Sequence, residues 1–172
     1  MDEIKREDML SHFINMKNVD GNPVEFREIL IEAVNLIGAG ADTTSIGMRA
    51  CLYFVAKYPD TYKRLQSEID DFYETKKLDR PISYMETQQL PYLQAVIKES
   101  TRLFPSIVFQ LLRYAPENFT VRGYRIPPGT EIGISPLAQN RDKEIWGEDS
   151  TNFGLRDGWK TKQGQNTLIP AL

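Results

Sequence analysis

Apolar residues recur at helical spacing through the first hundred positions and give way to short alternating runs beyond them. Met9, Leu10, Phe13 and Ile14, within residues 7–16, predict a short amphipathic helix, and Asp20-Gly21-Asn22 a turn. Pro23 suits the first turn of the next helix. From residue 24 to about 57 only the glycines at 38, 40 and 47 interrupt the helical pattern. At 1.5 Å per residue, those roughly 34 residues make a rod about 50 Å long. Globular helices usually stop by about 20 residues. Residues 29–41 are apolar on nearly every face, so this rod is expected to run through a core larger than 172 residues easily supply.

Pro59 opens a further helix to about residue 71, with Tyr62, Leu65 and Ile69 as its buried stripe. Ser83 and Glu86 have capping-box spacing and start a short helix. Pro91 begins another over residues 92–103, which must end before Pro105. Residues 107–114, 119–121, 124–126 and 131–134 read as strands, with Arg122-Gly123 and Pro127-Pro128-Gly129 as turns. Of 21 glycines and prolines, eight fall in residues 1–104 and thirteen in residues 105–172. The chain is therefore expected to be mainly α with a small β portion.

Composition narrows the function classes. Twenty-one Lys and Arg against 24 Asp and Glu give a net charge of −3 without a block of like charges, so there is no basic footprint and no nucleic acid is expected as a partner. One cysteine and one histidine exclude an intrachain disulfide framework and a Cys/His zinc cage, and no metal site is expected from this chain's own residues. The first twenty residues carry neither a signal peptide nor an anchor. The most apolar stretch, residues 29–56, is broken by Glu32, Asp42 and Arg49 and so is not read as a membrane span. Asn118-Phe119-Thr120 matches a glycosylation acceptor but, without a secretory signal, is read as a chance match.

Three features could carry chemistry. Gly38-Ala39-Gly40-Ala41-Asp42-Thr43-Thr44-Ser45 has no large side chain, and two glycines inside a helix cost about 1 kcal/mol each relative to alanine. A close helix crossing explains such a run. So does a flat ligand lying on the bare face, with the Thr43 hydroxyl bonding back toward the Ala39 carbonyl. Asp42 beside that hydroxyl could then relay protons. Second, Glu99 and Arg102 lie one turn apart on one helix face, as a surface ion pair or as a partly covered one. Third, Arg113 ends the apolar segment 107–112, where it either snorkels to solvent or holds a carboxylate or phosphate as a bidentate fork.

Taken in order, these features resemble the cytochrome P450 family of haem-thiolate monooxygenases. Ala39-Gly40-Ala41-Asp42-Thr43-Thr44 fits the family's long-helix motif at every position. The Glu-x-x-Arg follows on the helix ending in Leu103-Phe104-Pro105. Then come the strand ending in Arg113, the Tyr124-Arg125-Ile126-Pro127-Pro128-Gly129-Thr130 hairpin, Asn140-Arg141-Asp142 and Trp146-Gly147-Glu148-Asp149. The set covers about residues 7–153 and is closest to the fungal microsomal branch. It implies a partial P450 domain over residues 1–153, with a long central helix, following helices, the Glu-x-x-Arg helix and a short β-sheet.

The resemblance also implies roles. Haem b would be the cofactor, with Ala39 and Gly40 lining its distal face and Arg113 holding a propionate. Thr43 would hold and protonate bound dioxygen, with Asp42 delivering protons. Glu99 and Arg102 would form a structural ion-pair network on the proximal side. Leu36, Ile37, Ile107, Val108 and Phe109 would border a small apolar substrate, an NADPH-dependent reductase would supply electrons, and the family setting is the endoplasmic reticulum membrane. The resemblance leaves the family's N-terminal half, its anchor included, outside the chain.

The match departs in two places. The haem-ligating cysteine loop, Phe-x-x-Gly-x-Arg-x-Cys-x-Gly, does not occur in the 172 residues, and Cys51, two turns past Thr43 in an apolar stretch, reads as an ordinary buried thiol. At Phe153-Gly154-Leu155-Arg156-Asp157-Gly158-Trp159 the family's Pro and Glu are missing and the Arg stands one place early. Residues 154–172 are therefore expected to form a divergent, irregular tail. Two functions follow: part of a haem-dependent monooxygenase, or a truncated, catalytically inactive fragment lacking the cysteine loop.

Overall fold

The computed structural model describes residues 8–155, whose contacts divide into two units, Met1–Ser45 and Ile46–Leu172. In the first unit, α1 (Met9–Ile14) begins at Asp8, whose side chain accepts from the Ser11 N–H at 2.8 Å. That bond holds the Asp8 carboxyl below its usual range. The turn at residues 18–22 forms around Asn18, whose side-chain oxygen accepts from the N–H groups of Asp20 and Asn22.

Pro23 does not open the long helix. It forms an antiparallel bridge with Lys17, and the Val24 N–H donates to the Met16 carbonyl, so residues 22–24 are extended. Helix α2 (Phe26–Lys57) starts once Glu28 reaches back to the Glu25 N–H at 2.9 Å. Its 32 residues span about 48 Å, close to the rod expected over residues 24–57. Phe26, Leu30, Val34 and Ile37 stand exposed along its first half. Among the described residues, α2 is the one helix long and apolar enough, by length and composition, to cross a membrane. The charge interruptions had argued against such a segment. A helix built to run through a protein core meets the same criterion.

In the second unit, α3 (Pro59–Lys76) runs five residues past its expected end. No breaker intervenes, and Lys77 closes it in a left-handed conformation, with the Leu78 N–H donating to the Tyr73 carbonyl and the Lys77 N–H to the Glu74 carbonyl. Its inward face carries Thr61, Leu65, Glu68 and Ile69, whereas Tyr62, expected in the stripe, is exposed. Helix α4 (Tyr84–Thr87) has the expected reciprocal box at Ser83 and Glu86. Helix α5 (Pro91–Leu103) packs against α3 and buries Val96, Glu99, Ser100, Arg102 and Leu103 on one face.

The strands are shorter than the apolar runs. β1 (Arg113–Tyr114) pairs antiparallel with β4 (Glu131–Ile132), and β2 (Thr120–Val121) with β3 (Tyr124–Arg125), giving two two-stranded sheets in place of one. Arg122 and Gly123, both at positive φ, make the two-residue turn between β2 and β3. Residues 107–112 form no ladder, yet they run close beside the chain leaving β4. A Cβ at Gly133 would lie 2.6 Å from the Gln110 Cβ, so only glycine fits there. Buried Ala115 pins the Pro127–Gly129 turn, donating to the Thr130 carbonyl and accepting from the Gly129 N–H. Two short helices that the apolar pattern does not announce, α6 (Pro136–Gln139) and α7 (Lys143–Trp146), start at the side-chain caps Ser135 and Asp142.

The α4 box has a pH signature. Arg80 grips both Glu86 oxygens at 2.9 Å, and Ser83 adds its hydroxyl and N–H, so the Glu86 carboxyl is lowered from 4.5 to about 2. The folded carboxyl binds its proton more weakly than the unfolded one. The box is therefore fully present above about pH 4.5 and lost as pH falls toward about 2. NMR titration of the Glu86 carboxyl should show that depressed midpoint in wild type and a rise part of the way toward the ordinary range in Arg80→Ala, where the two Ser83 bonds remain.

Candidate functional site

Helix α5 carries the charge centre of the second unit. The Glu99 and Arg102 side chains are only 7% and 5% exposed, so the pair is buried and not a surface bridge. Arg102 Nε donates to Glu99 Oε2 at 2.8 Å and Nη2 to Glu99 Oε1 at 2.7 Å, the fork-on-fork geometry that arginine offers a carboxylate. Nη1 donates to the carbonyls of Asn140 and Ser150, both at 2.6 Å, and Nη2 also to that of Asn152 at 3.3 Å. A guanidinium has five N–H donors, and each of these has an acceptor. The Gly154 N–H adds a third bond to Glu99, at 3.1 Å.

Burying an ion pair is costly unless the remaining donors and lone pairs are satisfied. Here the backbone of residues 140–154 satisfies them. That segment is held in turn: the Trp146 ring lies 4.9 Å from the guanidinium, its Nε1 donates to the Gln139 carbonyl, and Ser150 Oγ donates to the Arg141 carbonyl. Phe153 stacks on Phe54 and Tyr58 at the end of α2, with ring centroids 4.7 and 5.0 Å apart. Residues 150–154 are thus pinned by main chain on one side and by an aromatic ring on the other. Arg156, the arginine that stands one place early, lies outside the described residues, as do all but the first two residues of the expected tail.

Sequence spacing put Glu99 and Arg102 on one face, and the structure brings them together. It could not show the acceptors, because carbonyls 38 to 50 residues away carry no residue signature. Arg113 is exposed and donates from Nη1 to the Leu112 carbonyl at 2.8 Å. Ile107, Val108 and Phe109 are exposed, and so are Leu36 and Ile37 in the first unit. Also in the first unit, Thr43 Oγ1 donates to the Ala39 carbonyl at 2.8 Å, the back-bond expected for the small-residue run. Ala39, Gly40 and Asp42 are exposed, and a Cβ at Gly38 or Gly40 would meet nothing within 4 Å. Among the described residues, no close helix crossing explains those glycines.

These residues can be tested against a haem. The small-residue face of α2 has room for a flat group, and the Arg113 fork suits a carboxylate. The donor set for the iron is a different matter. Cys51 is half-buried, not fully buried, and loss of solvent pushes its thiol up, against a smaller opposing effect of the Ser100 hydroxyl. That environment opposes the thiolate form that ligates metal. Among the described residues no group of His, Cys, Asp and Glu could hold a metal ion either.

Arg102→Lys keeps the charge, but three donors must then serve acceptors arranged for five. The substitution should lower stability by about 3 kcal/mol, read from urea unfolding of the full-length protein. An unchanged midpoint would contradict the saturated network.

A family model described as Cytochrome P450 matches residues 1–165, running on past residue 153. The chain is 35% identical over 169 residues to "Cytochrome P450 monooxygenase ACRTS1" of Alternaria alternata, covering 98% of this chain and 45% of that protein. It is 35% identical over 172 residues to "Cytochrome P450 monooxygenase cicH" of Emericella nidulans, covering 99% of this chain and 34% of that protein. A pisatin demethylase of Fusarium vanettenii is 39% identical over 137 residues, covering 78% of this chain and 26% of its own. The crystal structure of a cytochrome P450 (CYP102L1) shares the fold with a TM-score of 0.73 at 22% identity, covering 89% of this chain and 34% of that one. The chain thus spans between about a quarter and just under half of the relatives it matches. With the family model covering nearly its whole length, the chain belongs to the cytochrome P450 family.

Proposed function

We propose that the whole protein is a haem-dependent monooxygenase that inserts one oxygen atom from O2 into a small apolar organic substrate. Electrons would come from an NADPH-dependent reductase at the endoplasmic reticulum membrane. The observation that carries this reading is the Thr43 hydroxyl, bonded to the Ala39 carbonyl on an open helix face floored by Gly38 and Gly40. A bound haem would supply dioxygen activation. Ala39 and Gly40 give it a flat floor. To pass its one proton on, the Thr43 hydroxyl would turn from the Ala39 carbonyl, and Asp42, the preceding residue, would resupply that proton from its own carboxyl.

Arg113 would hold a haem propionate through its exposed fork. Leu36, Ile37, Ile107, Val108 and Phe109 would line the substrate, and their exposed apolar side chains suit an apolar molecule. Glu99 and Arg102 would brace the side of the fold opposite the substrate.

A second reading is favoured by Cys51. It is the one cysteine of the chain, partial loss of solvent pushes its thiol up, and it stands on α2 and not in a Gly-rich cysteine loop, so the 172 residues by themselves would be catalytically inactive. The two readings divide on one measurement. Haemin is added to the 172-residue chain, reduced and exposed to carbon monoxide. A thiolate-type red-shifted Soret band would overturn the inactive-chain reading, whereas its absence there, with the band present in the full-length protein, supports both proposals. In the full-length enzyme, Thr43→Ala should raise peroxide release relative to product by about tenfold or more, within the range that proton-transfer groups contribute. Unchanged coupling removes Thr43 from the relay.

A further inference from the structure

We infer that Glu68 on α3 is a positioning residue for the Glu99–Arg102 pair, acting through α5. The N-terminus of α5 has no local cap. Leu90 occupies the cap position without a side-chain oxygen, and Pro91 has no N–H to offer. The Leu90 N–H is taken by the Thr87 carbonyl and the Gln94 N–H by the Leu90 carbonyl. That leaves the N–H groups of Tyr92 and Leu93, and Glu68 accepts both, one on each carboxylate oxygen, at 2.7 and 2.9 Å. A carboxylate twenty-four residues upstream thus completes the first turn and places negative charge at the positive end of the helix dipole. Arg64, one turn earlier on α3, covers the same end with its guanidinium 4.4 Å from the Tyr92 ring.

The other end of α5 mirrors this arrangement. Arg141 Nη2 donates to the Leu103 carbonyl at 2.6 Å, and Asn140 Nδ2 to the Arg102 carbonyl at 3.1 Å. The helix is therefore held at both ends by groups outside it, over about 20 Å. A shift of one residue along its axis would turn it by about 100° and carry Arg102 away from three carbonyls that do not move with it. Glu68 fixes the axial position from which Arg102 reaches them.

The test is hydrogen exchange by NMR on the full-length protein, and it does not depend on the reaction catalysed. In Glu68→Ala the Tyr92 and Leu93 amides should exchange roughly fivefold faster or more. The Arg102 Nε–H, held to Glu99 in wild type, should accelerate with them, while the Ile126 amide of the β2–β3 hairpin keeps its wild-type rate. Acceleration confined to Tyr92 and Leu93 would make Glu68 a local cap only and overturn the proposal. So would no change at all, or equal acceleration at Ile126. If Glu68→Ala does not fold, Glu68→Gln, which keeps one acceptor and loses the charge, is measured in the same way and judged by the same outcomes.

Discussion

The buried Glu99–Arg102 pair is the constraint on which α5 and residues 140–154 of the second unit depend. Two charges leave water there, and neither has solvent to fall back on. The protein meets the cost by giving the guanidinium an acceptor for each N–H and the carboxylate a third donor at Gly154. Three of those acceptors come from residues 140–152, a stretch with little regular structure and little apolar burial of its own. This stretch therefore owes its path to the ion pair as much as the ion pair owes it solvation. The dependence is mutual.

Helix α5 joins that centre to α3. Its apolar face buries Val96 and Leu103, but apolar contact alone permits sliding, because it is non-directional. Direction comes from the polar ends, negative at one and positive at the other. The aromatic stack of Phe54, Tyr58 and Phe153 then ties the far end of the loop to the close of α2. Helix, loop and helix form a circuit in which each junction is a named interaction.

Much of this was legible in the chain before folding, for reasons that differ from element to element. The length of α2, the Ser83–Glu86 box and the boundaries of α5 follow from local rules of periodicity, capping and proline placement, and those hold without knowledge of neighbours. The Thr43 back-bond was legible because it closes within one turn. Pro23 was misplaced because a bridge to Lys17 outweighed its helical preference. The strand expected over residues 107–114 shrank to Arg113–Tyr114 because an apolar run states burial in a full fold and not hydrogen bonding in this one. The depth of the Glu99–Arg102 pair, and the cap lent by Glu68, were invisible for a common reason: their partners are main-chain groups, and every residue has those.

The same property bears on how the region can vary. Through three carbonyls Arg102 reads the course of the main chain between residues 140 and 152, and of the side chains there it meets the Trp146 ring and, at its own carbonyl, Asn140. The letters that neither cap, cover nor bond this centre are free to change so long as the carbonyls arrive at the same points, whereas Asn140, Arg141, Trp146 and Ser150 serve it through their side chains. The constraint at such a place is on a curve in space, which a run of letters does not spell out.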